Sequence, residues 1–169
     1  MSQAGDNIPQ GTFDYIPFTP ELEDDSVCGV KQTISTDDWK DKKVVLVGVP
    51  GAFTPTCHQS HAPEYVKKVR ELKDKGADIV AVIMSNDAYV ASAWGRTLKA
   101  KGDVLFLADN NGKWAEQAGL TYDASLTQGF TRLKRFAAVI DQGVFKILEV
   151  ETKGGVSNSG ADYILSQSW

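Results

Sequence analysis

Short apolar runs of strand length recur along the chain, at residues 44–47, 79–83 and 104–107. Each run is rich in aliphatic side chains and is bounded by turn residues or by a helical pattern, which is typical of strands buried on both faces. Two further apolar runs, residues 136–140 and 144–150, flank an Asp-Gln-Gly turn and predict a hairpin. The pattern therefore predicts an α/β protein with a central mixed β-sheet.

Helical patterns alternate with these strands. After residue 57, apolar residues recur at helical spacing until Gly76, and lysine and arginine side chains occupy the positions between them. Pro63 lacks an amide hydrogen and is predicted to kink this helix near its start. The alternation places helices on both faces of the sheet. Further helices are predicted at residues 86–99, 114–118 and 159–167.

Residues 1–40 differ from the rest of the chain and are interpreted as an N-terminal extension. Residues 12–16 alternate and predict a strand, the acidic run 21–25 predicts an exposed loop, and Ser35 predicts an N-capped short helix. Cys28 lies between these elements, and by position alone it is interpreted as a half-buried strand residue. With 169 residues, the whole chain is sized for a single domain.

Charge and composition exclude several classes of protein. A net charge of −4 argues against a nucleic-acid-binding protein, which needs a basic face. Apolar runs never exceed the length of a strand, so no membrane-spanning segment is expected. Residues 1–10 lack a signal-peptide pattern and the C-terminal Ser-Gln-Ser-Trp is not a peroxisomal Ser-Lys-Leu address, so we expect a cytoplasmic protein. Two cysteines are too few for a disulfide scaffold and favour redox chemistry.

The stretch from Gly48 to Cys57 holds the candidate chemistry. It joins a buried strand to a helix, so Cys57 is predicted to lie in the first turn of that helix. Free backbone N–H groups and the positive end of the helix dipole favour a thiolate there. Pro50 stiffens the turn, and Thr54 supplies a hydroxyl about one turn before the sulfur. A lone cysteine is more often a small buried hydrophobic residue, so the prediction of a reactive thiol depends on this setting.

The spacing of Pro50, Thr54 and Cys57 resembles the PxxxTxxC signature of peroxiredoxins, the thiol peroxidases. The run from Pro50 to Cys57 is similar to the peroxiredoxin-five or type II subfamily, and in particular to fungal thioredoxin-dependent alkyl hydroperoxide reductases. The resemblance extends over about residues 43 to 165 and implies a thioredoxin-like fold. Four further segments resemble that subfamily in the same order: residues 61–65, 86–89, 92–95 and 132–136.

The resemblance implies roles for the residues around the thiol. Cys57 is implied to be the peroxidatic cysteine of an enzyme that reduces hydrogen peroxide and alkyl hydroperoxides, and it becomes a sulfenic acid in the reaction. Thr54 is implied to orient the peroxide, and Pro50 to shield the sulfur from bulk water. No flavin, haem, metal or other cofactor is implied.

Thiol peroxidase chemistry also needs a fixed cation that stabilises the thiolate and the departing oxygen. Arg135 directly precedes a buried strand, and by position alone it is interpreted as an ordinary strand-end charge. The resemblance reverses this interpretation, because Arg135 matches the active-site arginine of the family. Arg132 and Lys134 are then interpreted as surface charges.

The same resemblance implies that Cys28 is the resolving cysteine, because the sequence around it is similar to the segment that holds this residue in fungal members. Animal members hold it near residues 157–159 and plant members at the position of Ile83, and neither place has a cysteine here. The residues leave open whether Cys28 pairs with Cys57 of its own chain or of a partner. The resemblance favours a disulfide between two subunits of a homodimer, with thioredoxin as its reductant.

Two alternatives use the same thiol. The chain could be a one-cysteine peroxidase resolved by glutathione or glutaredoxin, or a redox sensor that relays oxidation from Cys57 to a partner protein. A zinc site is disfavoured, because His58 and His61 lie close to Cys57 but lack a fourth ligand at a standard spacing.

Overall fold

Nine strands form two β-sheets in the computed structural model, which describes residues 1–169. The strands are β1 (Thr12–Tyr15), β2 (Gln32–Ser35), β3 (Lys43–Gly48), β4 (Ile79–Met84), β5 (Leu105–Ala108), β6 (Thr121–Tyr122), β7 (Arg132–Leu133), β8 (Phe136–Asp141) and β9 (Val144–Val150). The central sheet has the order β2-β1-β5-β4-β3-β8-β9, and β6 pairs with β7 in a small second sheet. Strands β3, β4 and β5 are parallel and the other pairs are antiparallel, so the central sheet is mixed, as predicted.

Helices cover both faces of the central sheet. They are α1 (Ala62–Lys67), α2 (Val69–Asp74), α3 (Ala88–Thr97), α4 (Lys113–Gln117), α5 (Ser125–Gln128) and α6 (Ala161–Ser166). The first core, which includes Cys57 and Trp94, joins one face of the sheet to α1, α2, α3 and α6. The second core, which includes Trp39 and Trp114, joins the other face to α4 and a 3₁₀ turn. Every helix is too short or too polar to span a lipid bilayer.

The inner strands are continuous apolar runs because each of them contributes to both cores. Val45 and Val47 of β3 belong to the first core, and Val44 and Leu46 belong to the second. Successive residues of a strand face opposite sides of the sheet, so a strand covered on both faces needs apolar residues throughout. The strands predicted from the three apolar runs are confirmed.

The N-terminal segment contributes two strands to the central sheet. The predicted strand at residues 12–16 is confirmed as β1, which pairs with β2 on one side and with β5 on the other. The strand β2 has no counterpart in the sequence prediction. Cys28 lies in the loop between a 3₁₀ turn and β2 and is exposed, so its interpretation as a half-buried strand residue is wrong. Gly29 beside it has a φ of 74°, which interrupts extended backbone at this point.

The helix that follows β3 is distorted at its start. Residues Cys57–His61 form a π-helical turn, in which the Ala62 N–H donates to the Cys57 carbonyl. Pro63 has no N–H to donate, so an ordinary helical turn would lack one hydrogen bond here in any case. The predicted kink thus takes the form of a π turn before Pro63, and a second irregularity lies at Lys68, between α1 and α2.

The hairpin formed by β8 and β9 agrees with its prediction. Its turn residues Gln142 and Gly143 have φ values of 51° and 77°, and two positive φ values in a two-residue loop are typical of a type I′ turn. The pairing of β3 with β8 sets Gly48 opposite Phe136. The start of β8 therefore lies beside the end of β3, which brings the residue before Phe136 to the Cys57 end of the sheet.

Candidate active site

Cys57 lies where β3 passes into the following helix. The His58 N–H donates to the Thr54 carbonyl over 2.8 Å, so the helical backbone begins at Thr54 and Cys57 stands in its first turn, as predicted. Only 1% of Cys57 is exposed, and its side chain belongs to the first core. The thiol is therefore held in a largely desolvated position at the end of the sheet.

Arg135 is the cation that contacts Cys57. Phe136, the first residue of β8, belongs to the second core, so Arg135 before it faces the side of the sheet on which Cys57 lies. Arg135 Nη2 donates to Cys57 Sγ over 3.4 Å. The structure thus brings together two of the predicted site residues, and a guanidinium at this distance stabilises a thiolate by a charge-assisted hydrogen bond.

His61 holds the guanidinium of Arg135 in place. The Nδ1 atom of His61 lies 3.0 Å from Arg135 Nη1, and its Nε2 atom lies 2.9 Å from the Ser159 carbonyl oxygen. Burial, assisted by the Arg135 charge and opposed by the Ser159 carbonyl, lowers the pKa of His61 to about 4, so the ring is neutral at neutral pH. Because a carbonyl oxygen can only accept, Nε2 carries the proton and Nδ1 accepts from Arg135.

Glu151 fixes the segment that carries Ser159. Its carboxylate accepts hydrogen bonds from the backbone and the hydroxyl of both Ser157 and Ser159, at 2.6 to 3.0 Å. Burial raises the pKa of Glu151, but the hydrogen bonds from the two serines outweigh burial and lower it to about 2. The Ser159 carbonyl also accepts from the Tyr65 hydroxyl over 2.7 Å. A continuous chain of hydrogen bonds thus reaches the sulfur, in the order Glu151, Ser159, His61, Arg135, Cys57.

Pro50 and Thr54 stand at the two ends of the loop that leads from β3 to Cys57. Thr54 Oγ1 donates to the Gly51 carbonyl over 2.7 Å, which leaves the lone pairs of the hydroxyl oxygen able to accept a hydrogen bond. The Ala52 N–H donates to the side chain of Asn86 over 3.0 Å. These contacts hold the loop in one defined shape.

Arg132 is not the surface charge that the sequence predicts. It lies in β7, it is half-buried, and its Nη1 donates to the Pro50 carbonyl over 2.7 Å. Its guanidinium stacks over the Phe130 ring, 4.6 Å from the ring centroid. Lys134 is also half-buried and donates to the Gly119 carbonyl over 2.9 Å. The structure corrects both interpretations, because each side chain donates to a backbone carbonyl. A contact with a backbone carbonyl cannot be recognised from the residue types in a sequence.

His58, the residue after Cys57, contacts two aromatic side chains. Trp94 Nε1 donates to His58 Nδ1 over 2.9 Å, and the Phe53 ring stacks on the imidazole with 5.6 Å between the ring centroids. Trp94 is fully buried in the first core, whereas Phe53 is 50% exposed. Phe53 also has a φ of 60°, a left-handed conformation that costs a non-glycine residue about 1 to 2 kcal/mol. The turn before Cys57 therefore combines a strained backbone with a partly exposed aromatic ring.

Cys28 and Cys57 are both free thiols, the first exposed and the second buried. Arg96 of α3 holds the loop before Cys28, because its Nη1 donates to the carbonyls of Val27 at 2.8 Å and Leu22 at 3.2 Å. Cys28 thus lies in an exposed loop that Arg96 anchors, whereas Cys57 lies in the first core.

Four residues support this site although the sequence did not predict them as part of it: Arg132, Glu151, Ser159 and His61. Only His61 offered a usable signal, since it follows Cys57 by four residues and residues four apart lie on one helical face. Ser159 takes part through its carbonyl and Glu151 through loop contacts, and neither has a sequence signature.

Known proteins match this chain over almost its full length. The profile of the Redoxin family matches residues 3–165. The chain is 39% identical to the peroxiredoxin Pen c 3 of Penicillium citrinum, and the match covers 98% of each chain. The chain belongs to the peroxiredoxin family. A relative from Lipomyces kononenkoae, whose name describes a peroxisomal peroxiredoxin, is 38% identical over 95% of this chain and 98% of its own.

A solved structure supports the same assignment. The crystal structure of reduced Prx3 from Vibrio vulnificus, in complex with hydrogen peroxide, matches with a TM-score of 0.86 and 35% identity over 98% of each chain. The chain described here therefore has the thioredoxin-like fold that the resemblance implied, and it is a peroxidase that acts on peroxides.

Proposed function

We propose that Cys57 is the peroxidatic cysteine of this peroxidase. The observation that carries the proposal is the 3.4 Å hydrogen bond from Arg135 Nη2 to a sulfur that is 1% exposed. The Cys57 thiolate attacks one oxygen of hydrogen peroxide or of an alkyl hydroperoxide, and the O–O bond breaks. The second oxygen takes up a proton and leaves as water or alcohol, and Cys57 remains as a sulfenic acid.

Three further residues assist this step. Arg135 stabilises the negative charge on the sulfur before the attack and on the departing oxygen during it. The Thr54 hydroxyl donates to Gly51, so its oxygen is oriented to accept from the O–H of the peroxide. Pro50 lacks an N–H and limits the access of water to the thiolate.

Cys28 then resolves the sulfenic acid. Its thiolate attacks the Cys57 sulfur, hydroxide leaves and is protonated to water, and a disulfide forms between two subunits of a homodimer. Two observations support this assignment: Cys28 is the only other cysteine of the chain, and it is exposed. A dithiol donor, thioredoxin, returns both cysteines to thiols by exchange.

One equivalent of hydroperoxide added to the reduced protein tests both assignments, with non-reducing electrophoresis and intact-mass measurement as the assays. We expect a covalent dimer that has lost two hydrogens for each disulfide. Cys28→Ser should run as a monomer on the gel with one added oxygen, and Cys57→Ser should neither form a disulfide-linked dimer nor consume peroxide. Unchanged peroxide consumption by Cys57→Ser would refute the assignment of Cys57.

Two outcomes separate the alternatives, the first in this experiment and the second when the oxidised variant is added to a cell extract. A wild-type monomer that gains oxygen would support a one-cysteine peroxidase that uses glutathione or glutaredoxin. Mixed disulfides of Cys28→Ser with proteins other than its reductant would support a redox relay.

We also propose that residues 1–169 act as one domain, because β1 of the N-terminal segment pairs with β5 of the central sheet. We further propose that the protein is located in the cytoplasm, whereas the relative from Lipomyces kononenkoae is named as peroxisomal. Cell fractionation of the native protein distinguishes the two compartments.

A further inference from the structure

Arg132 is held by contacts that a solvent-exposed arginine at the protein surface does not make. Its Nη1 donates to the Pro50 carbonyl, a contact between residues 82 positions apart. Its Nε atom is buried without a hydrogen-bond partner, and the guanidinium stacks over Phe130. A buried donor without a partner is unfavourable by about 1 to 3 kcal/mol, so the position of this side chain needs a compensating contact. The charge-assisted bond to Pro50 is the contact that the structure provides.

Gly51 is fitted to this arginine. A Cβ atom built at position 51 would lie 1.9 Å from Arg132 Nη1, far inside van der Waals contact. Gly51 has no positive φ, so its backbone conformation does not require glycine. A side chain at position 51 would therefore displace the Arg132 guanidinium from its hydrogen bond to Pro50, and it would also crowd the Thr54 methyl group at 3.2 Å.

The two ends of the same short loop carry the residues that are proposed to handle the peroxide. Arg132 holds the carbonyl of Pro50, and the next carbonyl, that of Gly51, accepts from the Thr54 hydroxyl over 2.7 Å. A displacement of the peptide after Pro50 would therefore turn the Gly51 carbonyl and move the Thr54 hydroxyl. The hydrogen bond from Arg132 goes to this loop, whereas Arg135 donates to the sulfur of Cys57.

We propose that Arg132 is a positioning residue of the peroxide site, acting through Pro50 and Gly51 on the Thr54 hydroxyl; the proposal rests on the proposed function of Cys57. Arg132 sets where the peroxide is held, and Arg135 sets the charge on the sulfur. The two arginines of this site thus have separate roles, and each role predicts a different kinetic signature.

Two reactions of the Cys57 thiol, both measured in the Cys28→Ser background because Cys28 is an exposed thiol, distinguish these roles. The reaction of reduced Cys57 with hydrogen peroxide needs both a thiolate and an oriented peroxide, whereas alkylation by iodoacetamide needs only the thiolate. Arg132→Met keeps a long apolar side chain over Phe130 and removes the donors. We expect it to lower the second-order rate constant with peroxide about tenfold or more, and to change alkylation less than about twofold. Arg135→Met should lower both rate constants.

Equal losses in the two reactions of Arg132→Met would overturn the proposal, because Arg132 would then act on the sulfur or on the whole fold. A peroxide rate constant within about twofold of wild type would overturn it as well.

A double-variant cycle tests the contact between Arg132 and Gly51 without peroxide. Gly51→Ala should lower the thermal unfolding midpoint in the wild-type background, and it should lower the midpoint much less when Arg132→Ala has removed the colliding group. Gly154→Ala is the matched control, because a Cβ atom there meets nothing within 4 Å. The same loss from Gly51→Ala in both backgrounds would refute the fitted contact. This cycle does not depend on peroxide chemistry, so it tests the contact between Arg132 and Gly51 independently of the role of Cys57.

Discussion

The buried imidazole of His61 gives the protein a specific dependence of stability on pH. In the folded state the pKa of His61 is lowered to about 4, first by burial, whereas an imidazole in the unfolded chain has the ordinary value of 6.5. The unfolded chain therefore binds a proton more readily than the folded one. Stability from this group is fully present above pH 6.5 and is lost as the pH falls towards about 4.

The size of the effect follows from the same two values. Each pH unit between them changes the free energy of unfolding by about 1.4 kcal/mol, so the interval from 6.5 to about 4 corresponds to about 3 kcal/mol. That is a large part of the stability of a typical domain, which is about 5 to 15 kcal/mol. His61→Asn removes the imidazole, and the variant should lack this component of the pH dependence.

Urea denaturation of the reduced protein at a series of pH values from 7 to 4 measures the effect. The comparison is the difference between wild type and His61→Asn, so other titrating groups largely cancel. His58→Asn is the matched control, because it removes the other histidine of the chain and leaves the contacts of His61 with Ser159 and Arg135 intact. The loss should persist in that control. Parallel curves for wild type and His61→Asn would show that His61 is not held neutral by burial, and the reasoning would fail.

Three other substitutions test further contacts. Thr54→Val removes the hydroxyl at nearly constant volume, so the rate constant with peroxide should fall about tenfold or more. The free energy of unfolding, measured by urea denaturation, should fall by about 1 kcal/mol. An unchanged rate constant would mean that the backbone alone orients the peroxide. Arg96→Ala frees the loop before Cys28, which has to reach Cys57 of the partner subunit, so disulfide formation, followed on quenched non-reducing gels, should be about two- to tenfold faster; slower formation would contradict this expectation. Glu151→Gln weakens the acceptor of Ser157 and Ser159, so unfolding at neutral pH should need about 1 to 3 kcal/mol less free energy. Because the pKa of Glu151 is lowered to about 2, the difference from wild type should shrink as the pH falls from 4.5 towards 2, and a constant difference would argue against an ionised Glu151.

The inner part of the fold was predictable because its strands are buried on both faces. Such strands are continuous apolar runs, and the runs in β3, β4 and β8 therefore predict buried strands directly. The edge strand β2 was not predictable, because it is short and half-exposed and is defined by its pairing with β1. Its sequence, Gln-Thr-Ile-Ser, has no pattern long enough to identify a strand.

The candidate site divides in the same way. Cys57 could be placed from the sequence, because a strand-to-helix turn is a local feature. Arg135 could be paired with it only through the resemblance, because the two residues are 78 positions apart and meet through the register of β3 with β8. The contact of Arg132 with Pro50 could not be predicted at all, since its acceptor is a backbone carbonyl and its geometry depends on the small sheet of β6 and β7.

The hydrogen bond from Trp94 to His58 gives the protein a built-in optical reporter. The chain has four tryptophans: Trp39 and Trp114 lie in the second core, Trp169 lies against Lys43 and Lys75, and Trp94 donates to the residue next to Cys57. Indole emission responds to changes in hydrogen bonding, and any oxidation that moves the Cys57 turn also moves His58. The intrinsic fluorescence of Trp94 should therefore follow the redox state of the neighbouring thiol in real time, without an added dye.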